Sequence, residues 1–95
     1  MRLALGLVGL IALTAPAFAV APTPAQKAEF YQVCMGIASD DTLCACKADA
    51  AMSLIDERFM GVVIKSMQGG SPAEGDYVAY NTYVAKSNQV CKPDY

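Results

Sequence analysis

The cysteines at positions 44 and 46 are the feature that most constrains how this chain can fold. Each residue of an α-helix turns the side-chain direction by about 100°, so two cysteines separated by one residue point about 200° apart. They therefore reach different neighbours rather than each other. Cys34 and Cys91 lie on either side of them in the sequence. We expect Cys44 and Cys46 to make one helix the centre to which a preceding helix and a final helix are bonded.

Residues 1–19 have the pattern of a secretory signal peptide. Arg2 precedes an uncharged apolar run, and Ala17-Phe18-Ala19 is an A-x-A cleavage site. The run is short for a transmembrane helix, which needs about 20 apolar residues. An uncleaved anchor and cleavage after Ala21 are the alternatives. We expect cleavage after Ala19 and a periplasmic or secreted protein of residues 20–95.

Residues 20–95 have the length of one small domain. A domain of this size buries only about 60% of its unfolded surface and usually needs covalent staples. It contains six Lys or Arg and nine Asp or Glu, a formal net charge of −3. This balance argues against nucleic acid and anionic membranes, since both attract basic surfaces. No second long apolar stretch follows the signal, so we expect no stable membrane insertion after cleavage.

Capping patterns predict an all-α domain of four antiparallel helices without strands. Two segments, Thr23-Pro24-Ala25-Gln26 and Ser71-Pro72-Ala73-Glu74, combine a capping box with proline at the first helical position. Ser53-Leu54-Ile55-Asp56 is a third cap pattern, and Asp41 or Thr42 is expected to cap the second helix. The predicted helices span about residues 24–38, 43–52, 54–68 and 72–90.

The spacing of apolar residues and the residues that end helices support these helices. On the first helix, the i, i+3, i+4, i+7 spacing makes one apolar face of Phe30, Val33, Cys34 and Ile37. The second helix is rich in alanine, so its neighbours can approach closely. Gly69-Gly70 is expected to end the third helix with one glycine in the left-handed conformation. One continuous helix over 43–67 is the alternative to separate second and third helices.

Four cysteines in a short exported chain predict two disulfides. A Cys44–Cys46 bond would close a very small ring against the helix geometry, so that connectivity ranks last. The other two connectivities both join the first helix to the second and the second to the fourth. Cys34 and Cys46 each lie about one helical turn from the connection between the first two helices, so they would face each other in an antiparallel hairpin. This favours Cys34–Cys46 with Cys44–Cys91. The pairing of Cys34 with Cys44 and of Cys46 with Cys91 stays open.

The C-x-C motif has two chemical interpretations besides structural disulfides. A thiol-redox couple needs an accessible thiolate, and such couples usually follow a strand, which is not predicted here. A copper(I) site could use Met35, Met52 or Met60, although Met60 and Met67 are better explained as core residues. We therefore expect structural disulfides and no metal or cofactor.

We expect this protein not to be an enzyme. The chain has no histidine, so Ser-His and Cys-His nucleophiles are excluded. Two acidic pairs, Asp40-Asp41 and Asp56-Glu57, are typical of helix N-termini, where they interact favourably with the helix dipole. Gly69-Gly70 ends a helix and does not open a phosphate-binding loop.

Tyr77, Tyr80 and Tyr83 are the candidate partner-binding residues. Spaced by three, they spread over a broad face of the fourth helix and cannot all point into one small core. Tyrosine at a surface favours protein partners because it combines a large apolar ring with a polar tip. The alternative is a partly buried aromatic helix.

The cysteine layout resembles that of three groups of helical proteins. Cys34-Met35-Gly36, a mid-chain cysteine, an amphipathic third helix and the closing Cys91 look like small periplasmic immunity proteins that neutralise secreted cell-wall amidases. The extra cysteine of C-x-C and the lack of a following proline-rich stretch depart from that pattern. The layout is also similar to acid-activated periplasmic chaperones, which have one disulfide. The Cys34-x9-Cys44 spacing is similar to helical-hairpin proteins of the mitochondrial intermembrane space, whose pattern is twinned.

These observations lead to one expected function and two alternatives. We expect an exported, disulfide-bonded helical protein that acts by binding another protein, possible forms being an immunity-type or inhibitor module. One alternative is a periplasmic thiol-redox or copper-binding protein that uses C-x-C. The other is a stress-protective or chaperone-like protein of the cell envelope.

Overall fold

Helices account for nearly all the regular structure of this chain. The fold is that of a computed structural model, and its described residues are 20–92. The predicted signal peptide at residues 1–19 lies outside the described residues. The described part contains four α-helices, one 3-10 turn and no strand, which confirms the all-α prediction. The elements are α1 Pro24–Ala38, α2 Asp41–Leu54, α3 Glu57–Met67, the 3-10 turn Glu74–Asp76 and α4 Tyr77–Val90.

The start of α1 is fixed by the predicted capping box. Thr23 Oγ1 accepts a hydrogen bond from the backbone N–H of Gln26 at 3.0 Å, and Gln26 Oε1 accepts one from the N–H of Thr23 at 3.0 Å. Pro24 occupies the first helical position, where its missing N–H leaves no hydrogen bond unmade. The helix therefore spans its predicted residues.

The second helix begins earlier than predicted because a different aspartate caps it. Asp40 Oδ1 accepts a hydrogen bond from the N–H of Leu43 at 3.0 Å, so neither Asp41 nor Thr42 is the cap. The carboxylate satisfies one of the helix's unpaired N–H groups. This shift matters for the disulfides, because it changes how far each cysteine of C-x-C lies from the turn between α1 and α2.

The chain breaks between α2 and α3 as predicted, but at a later residue. Asp56 Oδ1 accepts from the N–H of Phe59 at 2.8 Å and caps α3. Ser53, the predicted cap, lies inside α2, where its hydroxyl donates to the carbonyl of Ala50 at 3.2 Å. Serine inside a helix commonly makes this local bond, which leaves the cap to the following carboxylate. At the other end of α3, Gly69 has φ 102 and supplies the predicted left-handed residue.

The predicted start of the fourth helix near Pro72 is wrong. Ser71 does not cap a helix, and the chain instead forms the 3-10 turn, in which the N–H of Asp76 donates to the carbonyl of Ala73 at 2.8 Å. Gly75 lies in this turn, and glycine is a poor helix former. An ion pair between Arg58 Nη2 and Asp76 Oδ1 at 3.1 Å ties the turn to α3. Regular helix starts only at Tyr77.

The central helix is α2, which packs against both α1 and α4. Lys27, early in α1, pairs with Asp49 of α2 at 2.5 Å, whereas Cys34, later in α1, bonds to Cys44, which is earlier in α2. The two helices are therefore antiparallel. Contacts of Cys46 with Cys91 and of Lys47 with Ser87 give α4 the same antiparallel relation to α2. α3 packs against α1 rather than against α4.

The core lies between these four helices, and its α2 members are small. The buried cluster comprises Phe30, Cys34, Cys44, Ala48, Ala51, Phe59, Met60, Val63, Ile64 and Tyr83. Met60 is fully buried, which confirms its assignment as a core residue. Ile37 was expected on the buried face of α1 but is 63% exposed.

Replacing Cys46 and Cys91 together by alanine should reduce the free energy of unfolding strongly. A disulfide joining residues 45 apart contributes about 4 kcal/mol by restricting the unfolded chain, while small domains have about 5 kcal/mol in total. Urea unfolding followed by circular dichroism measures the loss, with Lys86→Ala at an exposed position as the control. A midpoint equal to that of the control would contradict the prediction.

Candidate functional site

Both disulfides are anchored on α2, and neither joins the two cysteines of C-x-C. The Cα atoms are 5.6 Å apart in Cys34–Cys44 and 5.8 Å apart in Cys46–Cys91. All four cysteines therefore take part in disulfides, and α2 is bonded to both α1 and α4. The two bonds fit a small, covalently stabilised protein that folds in an oxidising compartment.

The favoured pairing of Cys34 with Cys46 and Cys44 with Cys91 is wrong. A start of α2 near Leu43 would put Cys46 one helical turn from the α1–α2 connection. Because α2 starts at Asp41, Cys44 occupies that level and faces Cys34. Cys46 then points away from α1 and reaches the end of α4.

The structure separates the three tyrosines that were predicted to form a partner face. Tyr77 is 46% exposed, Tyr80 is half-buried, and Tyr83 is only 6% exposed and belongs to the core. Each step of three residues rotates the side chain by about 60° around the helix, so the series turns from solvent into the core. Burial raises the pKa of Tyr83 to about 12, because the phenolate would lose its hydration. Tyr83 is therefore not a surface residue.

An uncharged surface surrounds the two remaining tyrosines. Residues 77–85 of α4, hereafter the uncharged stretch, contain no charged side chain. A helix at the edge of a domain normally carries charges on its solvent side. Here seven of the nine residues are nevertheless exposed, namely Tyr77, Val78, Ala79, Asn81, Thr82, Val84 and Ala85. Val78 is the most exposed of them at 79%.

A concave surface lies on each side of the uncharged stretch. The larger one, with a volume of about 630 Å³, is bounded by Ala79 and Thr82 of α4 and by the α2–α3 connection. The smaller one, about 280 Å³, is bounded by Tyr80 and Val84 together with residues of the other three helices. We call the smaller one the Lys47 groove, and the solvent-accessible part of its apolar wall consists of Ile37, Leu43, Met67, Tyr80 and Val84.

A polar cluster lines part of the Lys47 groove. The Lys47 ammonium donates to Ser87 Oγ at 2.6 Å and to Asn88 Oδ1. Ser87 is only 1% exposed, so its hydroxyl depends on this partner. Desolvation lowers the pKa of Lys47, since removing water from an ammonium disfavours its charged form. Sequence reasoning missed this cluster; its one available signal was a serine in the otherwise apolar series Tyr80, Val84, Cys91.

Residues 20–92 contain neither a cluster suited to metal binding nor a helix suited to crossing a membrane. That part of the chain contains no group of three or more His, Cys, Asp or Glu side chains placed to hold a metal ion. None of its helices is long and apolar enough to cross a membrane. Comparison with family models, curated proteins and solved structures found no match to this chain.

Alanine at Tyr83 should reduce stability far more than alanine at Tyr77. Tyr83→Ala removes a buried aromatic ring, and such truncations typically cost about 3–5 kcal/mol. Tyr77→Ala acts at an exposed position, where changes are usually within about 0.5 kcal/mol. Thermal unfolding of the two variants tests this. Equal melting temperatures would show that the Tyr83 ring is not part of the core.

Limited reduction should open Cys46–Cys91 before Cys34–Cys44. Cys46 is half-buried, whereas Cys34 is 8% exposed and Cys44 is fully buried. A reducing thiolate must reach a sulfur atom, so access sets the order. Alkylation at increasing reductant concentrations, followed by peptide mass spectrometry, identifies the first thiols released. Early labelling of Cys34 and Cys44 would contradict the order.

Proposed function

We propose that this protein is exported, to the periplasm or beyond, and acts without catalysis by binding another protein, as an immunity-type or inhibitor module does. The observation that supports this best is the uncharged stretch of α4. Interface centres are depleted in charged residues and enriched in aromatic ones, while ordinary surfaces carry both signs of charge. Seven exposed residues without a charge fit the centre of an interface.

The surroundings of the uncharged stretch support the same proposal. Binding energy at interfaces is concentrated in a few side chains that enter pockets on the partner or receive its side chains. Tyr77 and Val78 project from the surface, while the concave surfaces on either side can receive the partner's side chains. The protein thus offers both parts of such an interface on one helix.

Covalent attachment of α4 also favours binding. Association is weakened when flexible elements must be ordered, so a surface held in place beforehand binds more tightly. The Cys46–Cys91 bond and the Arg58–Asp76 ion pair hold α4 near its two ends. A thiol-redox or copper-handling role has less support, because each sulfur of C-x-C is bonded to a different helix.

A charge in the uncharged stretch should abolish partner binding without unfolding the protein. Val78→Lys places an ammonium in the middle of the proposed interface, and Gln32→Lys makes the same charge change at an exposed position of α1. Both proteins are immobilised and incubated with an extract of the cell envelope. We expect Gln32→Lys to retain the same protein as the wild type and Val78→Lys to retain about tenfold less or lower still.

Two readouts make this experiment decisive. Circular dichroism must give the same melting temperature for both variants, because both positions are exposed. A single retained protein in a fixed ratio supports a specific partner, whereas a mixture of many proteins would favour the stress-protective alternative. Equal retention by Val78→Lys and Gln32→Lys would overturn the proposal.

A further inference from the structure

The Lys47 groove has a composition that the proposed protein-binding function does not explain. Its apolar wall combines side chains from the ends of α1 and α3 with Tyr80 and Val84 of α4. Ile37 is 63% exposed and Val84 is 36% exposed, so the wall is open to a ligand. The Lys47 ammonium lines the same groove. The groove therefore combines an apolar wall with one positive charge.

The polar cluster of the groove has unused hydrogen-bond donors. An ammonium has three N–H groups, and two of those of Lys47 donate to Ser87 Oγ and Asn88 Oδ1. One N–H remains for another acceptor. Asn88 accepts through its carbonyl oxygen, so its NH₂ group is also available, because no described residue accepts from it. Both remaining groups are donors, which suits an anion.

The charge of Lys47 has no counterpart among the described residues. The ion pairs in residues 20–92 join Lys27 to Asp49 and Arg58 to Asp76, and no carboxylate of that region lies within 4.0 Å of the Lys47 ammonium. Its partners are a neutral hydroxyl and a neutral amide. Partly desolvated ammonium groups are stabilised when an opposite charge binds beside them. A bound anion would supply that charge.

We propose that the Lys47 groove binds a small amphipathic carboxylate, a medium-chain fatty acid being the matching class, with its tail on the apolar wall and its carboxylate at Lys47 and Asn88. The volume of about 280 Å³ is near the lower limit of ligand sites, about 300 Å³. It suits a single unbranched tail. This is a second binding activity, and its test with the purified protein does not require the proposed protein partner.

Binding of sodium decanoate to the purified protein tests the proposal. Two-dimensional ¹H–¹⁵N NMR titration reports which amides shift and gives the dissociation constant. We expect saturable shifts at Leu43, Lys47, Tyr80, Val84 and Asn88. Decanol and decyltrimethylammonium have the same tail with no charge and with a positive charge, and we expect them to bind about tenfold more weakly or worse. This comparison uses only the wild-type protein, so it does not depend on a variant that folds.

A pair of lysine variants tests the role of the ammonium. Lys47→Met keeps an unbranched side chain and removes the charge, and Lys86→Met makes the same change at an exposed position of α4 that does not line the groove. We expect the affinity for decanoate to fall about tenfold or more in Lys47→Met and to stay at the wild-type value in Lys86→Met. The affinity for decanol should be the same in all three proteins.

Several results would overturn the proposal. One is equal affinity of the wild type for decanoate, decanol and decyltrimethylammonium. Another is shifts that map outside the Lys47 groove. A third is a short peptide with a C-terminal leucine carboxylate that binds the groove while decanoate does not, which would assign the groove to a protein terminus instead.

Discussion

The two covalent bonds of α2 are the constraint on which the rest of this structure depends. The buried residues that α2 contributes besides cysteine are alanines, and each alanine buries little apolar area. Small side chains let α1 and α4 approach closely but provide only weak attraction. The bulkier core residues lie mainly on α1 and α3. Cys34–Cys44 and Cys46–Cys91 therefore supply the connection that the packing of α2 alone does not.

The position of α4 follows from this arrangement and explains its exposed surface. It packs chiefly on α2, with Tyr83 and Ser87 as its buried side chains. A helix held by so few buried residues would separate easily from the domain, and Cys46–Cys91 prevents this. Because only one side of α4 is covered, residues 77–85 can remain both exposed and uncharged without loss of the fold. The stability of the domain therefore does not depend on which exposed side chains α4 carries.

Features that depend on neighbouring residues could be predicted from the sequence, and those that depend on distant segments could not. Thr23 and Gln26 hydrogen-bond to each other within one helical turn. Gly69 adopts its left-handed backbone conformation because glycine has no side chain to oppose it. Ser71 has a cap pattern as good as that of Thr23, yet Gly75 and the contact of Asp76 with α3 prevent a helix there. The predicted disulfide pairing was wrong because it depended on the first residue of α2, and that residue is set by the capping carboxylate of Asp40. The Lys47 groove combines segments from four helices, so no local pattern could reveal it.

The Lys47 groove arises from the way the last two helices are connected. α3 packs on α1 and α4 packs on α2, while the Arg58–Asp76 ion pair brings the start of α4 beside the start of α3. The connection after Met67 must therefore return along the domain, and it leaves a gap between the end of α3 and the face of α4. Met67 and Tyr80 fill this gap only in part, since both remain half-buried. Partly exposed apolar surface, next to an ammonium that has no carboxylate partner among residues 20–92, is what an amphipathic anion would complement.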